Sequence, residues 1–337
     1  MSKRFLAAAC AAATALALSA CSSAPSSEGN ASKDGTLTVM ASFYPLQYLA
    51  EKIGGEHVTV TSLTPAGAEP HDLELSPKTV DALASADAVV YLAGFQAAVD
   101  EAIEQQAPTT VIDVSPAVEL VEANSSANHP SEDEDADEAQ SGESTTEEHA
   151  DHDHEGHDHE GHHHDMSADP HFWLDPVRMA SAATLVGDKL AEADPANADT
   201  YKANAKALNE ELSALGDDLV AKTATCQIKT FVTAHTAFGY LADRTGLTQV
   251  GISGLDPDSS PSPARLAEIS QIAKEQGVTT IFTEALIDPK VAQTLADDLG
   301  ISTAVLDPIE SQTDSSKDYA AVMKDNINAL TTANNCQ

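Results

Sequence analysis

From Glu122 to Met166 the chain carries almost nothing that a folded core can use. Apart from a few alanines and one methionine, its side chains are polar, acidic or imidazole. Such a run buries too little apolar surface to offset the entropy of ordering it. Whatever folds must therefore be assembled from the segments on either side, across this interruption. Its last part, His149 to Asp165, holds eight of the thirteen histidines (His149, His152, His154, His157, His159, His162, His163 and His164), interleaved with Asp, Glu and Gly. That composition suits weak, multi-site collection of metal ions. It runs directly into Asp169-Pro170-His171-Phe172-Trp173-Leu174-Asp175-Pro176, a compact apolar stretch with the only Trp and a single histidine.

The chain of 337 residues is long enough for two domains with cores of their own. Its net charge of −37 is locally concentrated: Glu119 to Asp165 holds 17 acidic residues and no Lys or Arg. With no basic footprint, nucleic acid is not an expected partner. At the N-terminus, Lys3 and Arg4 precede an apolar run from Phe5 to Leu18, and Leu18-Ser19-Ala20-Cys21 then has the form of a lipoprotein cleavage site. The expectation is a signal peptide at 1–20, lipidation of Cys21 and export to the outer face of the cytoplasmic membrane or the periplasm. The alternative is an ordinary secretory signal. Cys10 leaves with the signal, so Cys226 and Cys336 remain. In an oxidising compartment two such cysteines favour a disulfide; metal ligation is the weaker reading, since neither lies near another ligand type.

Residues 21–36 read as a flexible stalk. Beyond them strand and helix patterns alternate: strands from Leu37, Val58, Ala88 and Thr110, and helices over Pro45–Ile53, from Ser76 and over Val99–Gln106. After His171 a helix is expected over Val177–Ala193. A second, over Ala196–Thr223, is the longest, with Tyr201, Leu208, Leu212, Leu215 and Leu219 near one face. The alternation then resumes, with strands from Ile228, Thr248, Thr279 and Ser302 and helices over Phe238–Thr245, Ser262–Gln276, Pro289–Leu299 and Lys317–Thr331. This predicts an α/β fold of two similar lobes with parallel sheets, at 37–195 and 224–337, joined by a rigid helix at 196–223.

Outside the tract, His129 lies in the acidic linker, and His57, after Gly-Gly-Glu, reads as exposed. His71, His171 and His235 are each read at or just past a strand end, in a loop. The carboxyl ends of strands face the ligand crevice of an open α/β sheet, and imidazole is the commonest metal-ligating side chain. The last strand delivers a carboxylate to the same crevice, from Asp307-Pro308-Ile309-Glu310. Three imidazoles and one carboxylate in the inter-lobe cleft would make a four-coordinate site suited to Zn2+.

Several stretches together resemble the zinc-type solute-binding lipoproteins of metal ABC importers (cluster A-I, of the ZnuA/AdcA type). They are TVMASFYPL at 38–46, GAEPHDLELSP at 67–77, ADPHFWLDP at 168–176, the helix bearing Tyr201 to Asn204, TAHTAFGY at 233–240 and LDPIE at 306–310. The resemblance implies His71, His171 and His235 as the first three ligands. It leaves Asp307 or Glu310 as the fourth, with a lean to Glu310 while Asp307 holds the turn or supports a ligand from behind. It also implies Zn2+ over Mn2+, because manganese members generally carry a carboxylate where this chain has His235. The aromatic residues Phe43, Tyr44, Phe172, Trp173 and Phe238 are expected to wall the pocket.

Within that resemblance the histidine tract is an accessory collector, or else a tolerated insertion. The implied role is zinc capture for an ABC permease and its ATPase, by a monomer held at the membrane through its lipid. A zinc hydrolase is the rival from another class, but no HExxH helix and no obvious general base accompany the ligands, so no enzyme is expected. A surface adhesin or zinc-storage module is the other alternative.

Overall fold

The computed structural model describes residues 36–122 and 168–337. The expected signal peptide, Cys21, the stalk to residue 35 and the histidine tract lie outside them. Among the described residues no helix is long and apolar enough to cross a membrane.

The first half contains β1 (Leu37–Ala41), α1 (Tyr44–Gly54), β2 (Val58–Ser62), α2 (Pro77–Leu83), β3 (Ala88–Tyr91), α3 (Ala97–Gln106), β4 (Val111–Asp113) and the single-turn α4 (Ser115–Val118). Then come α5 (Pro176–Ala193) and α6 (Ala198–Thr223). The second half contains β5 (Thr230–Thr233), α7 (Gly239–Thr245), β6 (Thr248–Gly251), α8 (Pro263–Gln276), β7 (Thr280–Thr283), α9 (Lys290–Leu299), β8 (Ser302–Val305) and α10 (Tyr319–Ala333). Both sheets are parallel throughout and share one topology, β2-β1-β3-β4 and β6-β5-β7-β8. Two similar α/β lobes are thus present, as the alternating pattern predicts.

The central strands are apolar because both faces of each sheet are covered. Val39 and Ala41 point into a large shared core, while Met40 points outward to Leu83 and Val99 beneath α2 and α3. In the second sheet Phe231 faces the shared core, and Val232 faces outward with Ile269 and Leu295 of α8 and α9. Between the sheets lie α1, α5, α6, α7 and α10, so the shared core runs unbroken from one lobe to the other. The 26 residues of α6 span about 39 Å at ~1.5 Å each. That helix packs on α1, α5, α7 and α10. Its expected apolar face, Tyr201 to Leu219, is buried.

Local chemistry fixes the boundaries. Ser76 and Ser262 cap α2 and α8, each followed by Pro at the first helical position, and Asp175 and Asp318 cap α5 and α10. Asp194 ends α5 and holds the break before α6, accepting from Ala196 N–H, Asn197 and the Tyr201 hydroxyl. Cys226 and Cys336 are bridged, which ties the end of α6 to the end of the chain. Three short elements are beyond the reach of periodicity: α4 and the 3-10 turns Gly55–His57 and Phe172–Leu174.

Candidate metal centre

Four side chains meet where the carboxyl ends of the two sheets face each other. His71 comes from the long loop after β2, His235 from the loop after β5 and Glu310 from the turn after β8. His171 departs from the expected setting. It follows no strand of either sheet; it stands between the isolated bridge Glu122–Ala168 and the 3-10 turn that leads into α5. Asp307 is not one of the four. Its carboxylate accepts from the Ile309 N–H (2.8 Å), and its backbone is held at both polar atoms by Asn326. The turn puts Ile309 at φ +56°, a conformation costly for a β-branched residue, and this brings Glu310 inward. Trp173 Nε1 donates to Pro308 C=O (2.7 Å) and locks the same turn.

The ligand atoms all lie within 4.8 Å of one another. Glu310 Oε1 is 3.6 Å from His71 Nε2, 3.2 Å from His171 Nε2 and 3.3 Å from His235 Nε2, and the last two nitrogens are 3.4 Å apart. A tetrahedral ion with bonds of about 2.0–2.1 Å has ligand-to-ligand edges of about 3.3 Å. The three distances to Glu310 and the His171–His235 separation are close to that length, and no pair of the four atoms exceeds 4.8 Å. His171 and His235 are fully buried and Glu310 is 1% exposed; His71 is the least buried of the four. Both His71 Nε2 and Glu310 Oε1 are buried without a hydrogen-bond partner, a cost that a coordinated cation would remove.

Two of the imidazoles are aimed by a carboxylate at Nδ1, and all three histidines are held at the backbone N–H. The tripeptide acid-Pro-His occurs twice, and in both copies the carboxylate accepts from the histidine N–H: Glu69 from His71 (3.0 Å) and Asp169 from His171 (2.9 Å). Asp169 also faces His171 Nδ1 at 2.8 Å. For His235 the same two contacts come from Glu284, just past β7: 3.1 Å to the N–H and 2.7 Å to Nδ1. A carboxylate at Nδ1 keeps the proton there and leaves Nε2 to the metal. Gln96 holds the His71 loop by donating to Thr64 Oγ1 (3.0 Å) and Pro70 C=O (3.1 Å).

Burial opposes charge on His171 and His235, but carboxylates outweigh it. Asp169 and Glu310 raise His171, while Glu284 and Glu310 push His235 up to about 10. His71 is lowered, chiefly by burial. Glu310 is held well below the usual carboxylate range: burial raises it, but the three imidazoles prevail. Burial and the Glu310 charge push Glu69 up to about 8.

The wall is aromatic. Trp173 packs on His171 with ring centroids 5.2 Å apart, Phe95 meets the His71 ring edge-on at 4.9 Å, and Phe43 stands behind both. Phe172 and Phe238 are buried in the same core. Sequence reasoning passes over Glu284, Gln96 and Phe95. Their one signal is position, since each lies just past the end of β7 or β3.

Comparison with known proteins gives one consistent picture. The family model described as zinc-uptake complex component A, periplasmic (ZnuA) matches residues 39–333. The zinc-binding protein AdcA of Streptococcus pyogenes serotype M3 is 33% identical over 312 residues, covering 88% of this chain and 56% of that protein. The chain thus spans about half the length of that relative. The high-affinity zinc uptake system protein ZnuA of Bacillus subtilis is 33% identical over 323 residues, covering 94% of this chain and 93% of the relative. Among solved structures, the laminin-binding protein Lmb of Streptococcus agalactiae, described as bifunctional with adhesin and metal-transporting activity, superposes with a TM-score of 0.72. It is 29% identical, with 88% of this chain and 99% of that one covered.

Proposed function

The chain belongs to the zinc-uptake complex component A family, and from that membership and the pocket we infer that it captures Zn2+ outside the cytoplasm and hands it to an ABC-type permease driven by its ATPase. One observation carries the reading: three imidazole nitrogens converge on one buried carboxylate oxygen at 3.2–3.6 Å, close to the edge length of a zinc tetrahedron. His71, His171, His235 and Glu310 are the ligands, and Asp307 shapes the turn that presents Glu310. The four-protein-ligand set supports a carrier over a hydrolase, because a catalytic zinc keeps one position for water. Three neutral or neutralised imidazoles with one carboxylate favour zinc over manganese, which is better served by oxygen donors.

Lipidation at Cys21 and attachment to the outer face of the membrane belong to the same reading, as does a monomeric state. The histidines of the tract, at 149–164, act as an accessory collector that raises the local zinc concentration beside the pocket. A laminin-binding relative has this fold too, so the fold alone does not separate adhesion from transport; the buried ligand set favours transport.

The test is competitive titration with Zn2+ and Mn2+ of the chain with 123–167 replaced by a short Gly/Ser linker, beside its His71→Ala variant. One tight zinc site, far weaker manganese binding and loss of the tight site in His71→Ala are expected. Tight binding that survives His71→Ala, or vanishes with the tract alone, would place the function elsewhere.

A further inference from the structure

The residues flanking 123–167 leave and rejoin the fold at one point. Glu122 and Ala168 form an isolated antiparallel bridge, and Asp169 N–H donates to Val121 C=O (2.9 Å). A third group closes this join from the other lobe. The Tyr240 hydroxyl, on α7, accepts from Val121 N–H (3.0 Å) and donates to Asp169 C=O (2.7 Å). Val121, Tyr240 and Asp169 thus form a closed ring of three hydrogen bonds, in which each group lends direction to the next.

Further contacts hold the phenol. The Arg178 guanidinium lies 4.9 Å from the Tyr240 ring centroid, and it donates to the carbonyls of Val118 and Glu119 (2.5 Å each), a few residues before the join. Asp175, which caps α5, is paired with Arg178 (3.5 Å) and with Arg244 of α7. The ring touches the metal pocket on both sides. Asp169, whose carbonyl Tyr240 fixes, grips His171 through its backbone N–H and Nδ1. Tyr240 itself sits in the first turn of α7, five residues after His235.

We propose that Tyr240 is a positioning residue of the metal centre, clamping the join at Val121 and Asp169 to α7 so that His171 is held in register opposite His235. The Nε2 atoms of those two histidines stand 3.4 Å apart, and the clamp joins their supporting segments directly, beside the Asp175–Arg244 pair. Its consequence is that the site's geometry is set at the join and does not depend on what lies between 122 and 168. The inference rests on the reading of this pocket as a zinc site.

The experiment compares the otherwise intact chain with its Tyr240→Phe and His171→Ala variants, loaded with Co2+ as a spectroscopic probe and separately with Zn2+. Phenylalanine keeps the ring and the contact with Arg178 but removes both hydrogen bonds. Expected for Tyr240→Phe are a changed Co2+ d–d envelope and release of Zn2+ to a chelator that is roughly five- to tenfold faster, below the 10- to 100-fold typical of losing a group bonded directly to a ligand. A d–d spectrum unchanged and a release rate within twofold of the parent would overturn the clamp. If the parent shows no tetrahedral Co2+ bands, or His171→Ala keeps them, the zinc-site reading fails and the clamp with it. Should Tyr240→Phe not fold, hydrogen exchange on the parent decides. Amides 121, 169 and 171 gaining protection together on Zn2+ binding supports the clamp, and protection confined to 171 overturns it.

Discussion

Glu284 holds His235 twice, at the backbone N–H (3.1 Å) and at Nδ1 (2.7 Å), and Asp169 holds His171 in the same two ways. Two proposed ligands in different lobes are therefore aimed by one device, supplied by a neighbour two residues back in one case and from just past another strand in the other.

Replacing Glu284 by Gln should weaken Zn2+ binding by about 10- to 100-fold. The amide oxygen can still accept from the His235 N–H. The amide nitrogen then faces Nδ1, which must become an acceptor, and the imidazole proton moves to Nε2 where the metal binds. Competition against a chelator of known affinity measures this. Affinity within threefold of the parent would mean that Glu284 does not set the tautomer.

Zinc capture should also be a proton-releasing reaction. His235, at about 10, is protonated in the metal-free pocket at pH 7; His171 is shifted in the same direction by Asp169 and Glu310, whereas His71 is lowered by burial. Zinc takes the Nε2 lone pair, so at least the His235 proton leaves with each ion bound. Calorimetry at pH 7 in buffers of different ionisation enthalpy counts the protons, and release of less than half a proton would contradict these assignments. The effect on the metal-free fold has a definite sign. His235 is raised above its ordinary 6.5, so its contribution to stability is fully present below pH 6.5 and lost as pH rises toward about 10. The metal-free protein should melt lower at pH 9.5 than at pH 6.5 through this group, as checked by scanning calorimetry against His235→Asn.

The sequence exposes those parts of the site that share a periodic frame. His235 follows a buried strand directly and Glu310 lies in the turn after the edge strand β8, and a strand end in an α/β pattern points to the crevice. His171 is readable only as a motif, because the join at Glu122 and Ala168 is a pairing between residues separated by a low-complexity stretch. Glu284 and Gln96 look like any acid or amide in a loop; their partners come from other strands, and only the folded chain brings them together. Glycines are opaque for the same reason. In a helical pattern Gly216 reads only as a weak point, while the structure shows a neighbour pressed against it.

The disulfide should matter for stability and not for metal. It closes a separation of 110 residues, for which chain-entropy reasoning gives about 4.7 kcal/mol and measured bridges usually give 2–4 kcal/mol. Its cysteines lie by the beginning of β5, whereas the ligands lie past the strands' carboxyl ends. Replacing both cysteines by Ser should therefore lower the unfolding free energy by about 3 kcal/mol in urea titrations. Zn2+ affinity of the folded variant should stay within about twofold; a larger loss would mean that the bridge shapes the pocket.

The contact of α5 with α6 yields a last prediction, because two glycines face it with neighbours of different kinds. A Cβ at Gly187 would stand 2.3 Å from Ala205 Cβ and 3.4 Å from Tyr201 C=O, so nothing there can rotate away and the helices themselves must part. A Cβ at Gly216 would meet Val177 Cγ2 at 2.7 Å, a methyl that a change of χ1 can withdraw. Alanine gains about 1 kcal/mol of helix propensity over glycine at either site. At Gly216 that gain roughly offsets the rotamer change, and Gly216→Ala should leave stability within about 1 kcal/mol of the parent. At Gly187 overpacking of about 3 kcal/mol prevails, so Gly187→Ala should be destabilised by about 2 kcal/mol net. Urea midpoints of the two variants decide it: equal midpoints would mean that the α5–α6 spacing yields more readily than its close contacts imply.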